Sequence, residues 1–69
     1  MEITYDKEAD AVYIKLRDGK FAKNKQLDDN TILDLDKNNN VLGIELLWVS
    51  EWMSQKSLSN LRAKQVLAT

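Results

Sequence analysis

The sequence predicts an α+β fold, an antiparallel β-meander of about four strands with one C-terminal helix. Three observations predict it. Apolar residues alternate with a period of two in residues 11–17, and strand-like apolar runs recur at 31–36 and 41–49. Clusters of Asp, Asn and Gly separate these runs. Beyond Ser50 the alternation stops and helix formers dominate up to Leu67. One small domain over residues 1–69 follows, with its strands within 1–49 and a helical tail at 50–67.

Taken in order, Ile3 and Tyr5 suggest a short first strand, and the polar residues 6–10 a turn. Val12, Ile14 and Leu16 then share one face of a strand, with Ala11, Tyr13 and Lys15 on the other. Asp18-Gly19 reads as a hairpin tip, because a type I′ turn needs positive φ at both central residues. Residues 20–27 are polar and Lys-rich, as edge strands often are. A turn at 28–30, a strand at 31–36 and a turn at 37–40 follow. The three consecutive Asn there suit left-handed backbone. Residues 41–49 place Leu42, Ile44, Leu46 and Trp48 on one face and Val41, Leu47 and Val49 on the other. A strand apolar on both faces is usually covered on both. Ser50 is the expected cap of the terminal helix, with Glu51 favourably placed against its dipole. The polar gap at 54–57 marks a possible break, with Ser57 opening a second helix.

A chain of 69 residues is marginal alone. Disulfides, a structural metal or oligomerisation are the usual remedies. There is no Cys and no His, so disulfides, thiolate zinc sites and Ser-His or Cys-His couples are excluded. Oligomerisation, or a hard cation held by oxygens, remains. The net charge is -1, which draws the chain to neither nucleic acid nor membrane. No apolar run approaches the roughly 18 residues of a membrane span. A secretory leader pattern is absent from the N-terminus, so the cytoplasm is the expected location.

Three constellations bear on chemistry. Asp34, Asp36 and Asn38 fall at the first, third and fifth positions of a calcium-loop pattern, with Glu45 at the twelfth. Such loops join helices, however, and the flanks here read as strands. In a hairpin Glu45 lies several residues up the strand, too far to close on the turn, and Asp and Asn are ordinary turn residues. Asp34 and Asp36, two apart, would share a strand face and with Glu45 form an acid-base or magnesium set. A solvated face is the preferred reading of these carboxylates. An enzyme is not expected in a short chain without His, Cys or a Gly-rich loop, and no cofactor is expected beyond a possible calcium or magnesium ion. Tyr5, Tyr13, Phe21, Trp48 and Trp52 could stack bases, but only Tyr13 with Lys15 offers the interleaved cation this needs. Core or interface packing is the better account of them. Gly43, alone within a strand, marks a bulge or a close approach by Trp or by backbone.

The stretch Tyr5-Asp6 with Asp10-Ala11-Val12-Tyr13-Ile14, then Ile32-Leu33-Asp34-Leu35-Asp36 and Val41-Leu42-Gly43-Ile44-Glu45-Leu46, resembles the bacterial family called domain of unknown function 2283. The resemblance covers roughly residues 3–50 and implies a compact sheet with a C-terminal helical element. It supplies no catalytic residue. Some members of that family are encoded beside toxin-like proteins, which implies an antitoxin-like or partner-binding role. The turn at 37–40 lacks the Gly expected of the family, and the tail with Trp52 and Met53 lies outside the resemblance. The expected function is thus that of a protein-interaction module, homo-oligomeric and most simply a homodimer, with Leu47, Trp48, Val49 and Trp52 at its interface. The alternative is a carboxylate-based divalent-metal protein or small hydrolase using Asp34, Asp36 and Glu45.

Overall fold

The computed structural model describes residues 1–68, with side chains described as far as Leu61. Five strands form one antiparallel sheet: β1 (Glu2–Asp6), β2 (Ala11–Lys15), β3 (Lys23–Asp28), β4 (Thr31–Leu35) and β5 (Val41–Leu47). Two helices follow, α1 (Val49–Trp52) and α2 (Gln55–Ala68). The α+β class is as expected, while the strand count, the helix count and the path differ.

The strands lie in the order β1-β2-β5-β4-β3, so this is not a simple meander. β5 is the most apolar strand and takes the centre, paired with β2 on one side and β4 on the other. The Lys-rich β3 takes an edge, where a strand needs only one partner and can stay exposed on both faces. Val12 opposes Leu46, and Ile14 opposes Ile44, which in turn opposes Leu33. One sheet face is therefore apolar across four strands.

The hairpin expected at Asp18-Gly19 does not form. β2 pairs with β1 and β5, so the chain must cross the end of β5 and β4 to reach β3. Residues 16–22 make that crossing. The Leu16 and Arg17 amides donate to the Leu42 carbonyl at 2.8 and 3.2 Å, and the Ala22 amide to Leu35 at 2.8 Å. Gly19 does not have positive φ. Its role is a close approach instead: a Cβ there would stand 2.6 Å from a Leu42 methyl. The 37–40 turn behaves as its composition suggests, with Asn39 at φ 66°.

The core lies under the N-terminal half of the sheet. Tyr5, Val12, Val49 and Leu58 are at most 2% exposed, with Ile3, Ile14, Leu46, Met53 and Leu61 packed around them. α2 packs on β1. The expected single helix with Ser50 as cap is also corrected. Trp48 leaves the strand in left-handed conformation and stands at the N-cap of α1, and Ser50 is the second residue inside that helix. The break is where the polar gap lies, but Ser54 opens α2, three residues before the expected Ser57. The Ser57 amide donates to Ser54 Oγ at 3.1 Å and the Leu58 amide to the Ser54 carbonyl at 2.9 Å.

Candidate functional site

The four metal candidates divide into two places. Asp36 and Asn38 lie in the β4–β5 turn. The Asp36 carboxylate accepts the amides of Asn38 and Asn40 at 2.8 and 2.9 Å, and the Asn40 Nδ2 at 3.0 Å. These donors hold its carboxyl below the usual carboxylate range, the Asn40 amide first among them. Asp36 is thus engaged as a turn residue and does not share a strand face with Asp34, because β4 ends at Leu35 and its pairing with β5 shifts register between Asp34 and Leu35.

Asp34 and Glu45 stay on the sheet and meet. Register puts Tyr13 opposite Glu45, Asp34 opposite Gly43, and Asn24 opposite Asp34. All of these point away from the face that carries Val12, Ile14 and Leu46. Asn24 Nδ2 donates to Asp34 Oδ1 at 2.8 Å. Glu45 is hydrogen-bonded to Asp34, is partly buried and faces its charge, and these three causes push its carboxyl up to about 7. The protonated Glu45 carboxyl can then donate a hydrogen bond to the Asp34 carboxylate.

Gly43 makes the cluster possible. The Tyr13 ring lies over it, and a Cβ at that position would collide with the phenol oxygen. The close approach expected at Gly43 is therefore made by Tyr13, not by Trp or backbone. Burial, then the nearby Asp34, raise the Tyr13 hydroxyl above its usual value. The signal in the sequence was an aromatic and a lone Gly on paired strands, but the β2–β5 pairing had to be known first. Among the described residues, no group of three or more His, Cys, Asp or Glu side chains converges in a way that could hold a metal ion. What the cluster can do is hold and release one proton.

A second surface gathers at the far end of β5. Trp48 and Trp52 are 50% and 48% exposed, and Leu47 is half-buried beside them. The Trp52 indole donates to the Leu47 carbonyl at 2.8 Å, and Asn30 Nδ2 reaches the same oxygen at 3.1 Å. Val49, expected at an interface, is instead fully buried in the chain's own core and presents no surface. Its helical backbone turns it inward, whereas a continued strand would have turned it out. Trp48 stands at φ 51°, a conformation that costs a bulky residue about 1 kcal/mol or more.

The carboxyl pair, the glycine beneath Tyr13 and the strands that align them all lie within the part of the chain that matches a known family. The family is described as protein of unknown function, DUF2283, and its model matches residues 2–50. The chain belongs to this family. No curated protein and no solved structure matches it. The helix α2, which closes the core, lies beyond the family match. No helix among the described residues is long and apolar enough to cross a membrane.

Proposed function

We propose that this member of the family is a cytoplasmic protein-interaction module that works as a homo-oligomer, most simply a two-fold dimer, with Leu47, Trp48 and Trp52 at its interface. One observation carries the reading. Trp48 is held in left-handed backbone, where Gly or Asn would sit at lower cost, and its side chain is half in water. Strain that displays a large indole is readily understood if a partner covers it, since Trp is enriched at the centres of interfaces. A two-fold contact repeats the patch on both subunits, which suits a chain too small to bury much surface alone. The toxin-like neighbours of some members of the family support an antitoxin-like role for such a module.

Trp48→Gly separates this reading from a structural one. It should relieve the backbone, keep or raise the melting temperature at high dilution, and weaken self-association measured by light scattering. Leu47→Glu should dissociate the oligomer outright. A stable 8.0 kDa monomer at micromolar concentration would sink the proposal.

A second reading keeps the carboxylates. The divalent-cation or hydrolytic reading retains only Asp34 and Glu45, beside Tyr13, since Asp36 lies in the turn and no three carboxylates converge among the described residues. A rise in melting temperature with calcium or magnesium, lost in Glu45→Gln, would favour it over the first.

A further inference from the structure

The net charge of -1 hides a sorting by ends. The end of the sheet that carries the β1–β2 and β3–β4 turns holds Asp6, Glu8, Asp10, Asp28 and Asp29 against Lys7. The opposite end holds Arg17, Lys20, Lys23 and Lys37, with Lys25 one step further along β3. The acids at that basic end are already engaged. Glu2 and Asp18 are both paired with Lys15, at 4.0 and 2.8 Å, and Asp36 accepts its own turn amides. Among the described residues Lys15 alone forms ion pairs, so Lys23 and Lys25 carry uncompensated charge.

Beside these two lysines runs a groove of about 540 Å³, lined by Lys23, Asn24, Lys25, Leu33, Leu35, Asn39 and Val41. Leu33, Leu35 and Val41 give it an apolar floor, with Leu35 buried and the other two half-buried. Lys23 opposes Leu35 and Lys25 opposes Leu33, so both cations flank the same apolar strip. Among the described residues, no helix packs on β3 or β4 in the way α2 packs on β1. An apolar floor with a cationic wall is complementary to a chain segment that mixes apolar and acidic side chains. A nucleic-acid backbone would meet the lysines but leave the leucine floor unused.

We propose that this groove binds a protein partner through a segment of interspersed acidic and apolar residues, its carboxylates meeting Lys23 and Lys25 and its apolar side chains lying on Leu33, Leu35 and Val41. The inference rests on the reading as an interaction module and names the kind of partner. It uses the end of β5 at Val41, whereas the proposed dimer contact uses the end at Leu47, so the two are testable apart.

The test titrates the full chain, isotope-labelled for NMR, with a short acetylated peptide alternating glutamate and leucine. Saturable shifts should map to the amides around Lys23, Lys25, Leu33 and Val41. Affinity, measured by anisotropy of the labelled peptide, should fall roughly tenfold or more in Lys23→Glu/Lys25→Glu and less in the Gln pair. Lys56→Glu, at the start of α2, should leave it unchanged. Melting curves confirm that each variant folds, and light scattering should show the same mass for wild type and the Glu pair. A peptide with lysine in place of glutamate that binds equally well would overturn the proposal. So would shifts confined to Leu47, Trp48 and Trp52, tighter binding of oligothymidylate, or peptide that only displaces a second copy of the chain. A wild-type chain that is monomeric by light scattering yet binds the peptide as expected would remove the dimer reading and leave this one standing.

Discussion

On the β1–β2 side of the sheet, Tyr5 and Val12 are each 1% exposed beneath α2, while on the far side every residue of β3 is exposed. The same sheet is thus a packed layer at one edge and a bare one at the other. The covered half gains its stability from burial, at roughly 25 cal/mol per Å² of apolar surface. The open half is held by the β3–β4–β5 ladders and by side-chain bonds across its turns. The first arrangement commits its inner apolar face to the core. The second leaves lysines and half-buried leucines available, and that is where a partner has something to hold.

The largest expected effect tests that contrast directly. Tyr5→Ala removes a fully buried ring from the core and should cost about 3–5 kcal/mol, a large part of the stability of a small domain. Leu27→Ala, at a residue 54% exposed on β3, should stay within about 0.5 kcal/mol. Urea unfolding of both variants measures the difference. Comparable losses would mean that the open half is covered in solution.

The turns repeat the contrast on a smaller scale. Asp10, at φ 55°, sends its carboxylate across forty residues of sequence, accepting the Ser50 amide at 3.0 Å and the Ser50 hydroxyl at 2.6 Å. Its own carbonyl accepts the Val49 amide at 3.0 Å. That ties the β1–β2 turn to α1 and satisfies helix donors that no local side chain reaches. Asp36 spends its carboxylate within four residues. Asp10→Ala should therefore cost about 1–2 kcal/mol, by lost capping bonds and by an Ala strained at positive φ. Asp10→Asn should recover most of it. Asp36→Ala should cost about 0.5–1 kcal/mol, since the Asn39 amide to Asp36 carbonyl and Asp36 amide to Asn40 carbonyl bonds persist. Thermal melts that reverse this order would show the open half to depend more on its turn than its packing suggests.

What could be read from the sequence divides along the same line. Local signals were legible: the strands with period two, the left-handed Asn in the 37–40 turn, the break in the helical tail. Asp18-Gly19 carried an equally strong local signal and failed, because β2 had a better partner in the apolar β5 than in the polar β3. That preference is a property of the whole sheet and no window of the sequence contains it. Ser50 was misplaced for a related reason, since its cap comes from Asp10, far along the chain. At the candidate site, Asp34 and Glu45 were legible as carboxylates on neighbouring strands. Tyr13 and Asn24 were not, because their place beside Asp34 depends on β2–β5 and β3–β4 registers. Nothing in the composition distinguished Val49, turned into the core, from Trp48, turned out.

The seam between the halves holds the Asp34–Glu45 pair, and its effect depends on pH. Glu45 keeps its proton up to about 7 in the folded chain, against an ordinary value of 4.5. Between those values the folded state binds more protons than the unfolded one, so stability must fall as pH rises. The contribution is fully present below 4.5 and lost as pH passes through about 7. Asp18, Asp28 and Asp36 work in the opposite direction, since their carboxyls are held low, but they titrate in a more acid range. The chain has no His, so between pH 5 and 7 few other groups interfere. With solvent screening, the loss across that interval should be roughly 1 kcal/mol. Glu45→Gln should flatten it, because the amide keeps a donor toward Asp34 at every pH. The check is urea unfolding of wild type and Glu45→Gln at pH 5 and pH 7.5. If both chains show the same slope, the two carboxyls are not in contact in solution, and Glu45 titrates without Asp34 beside it.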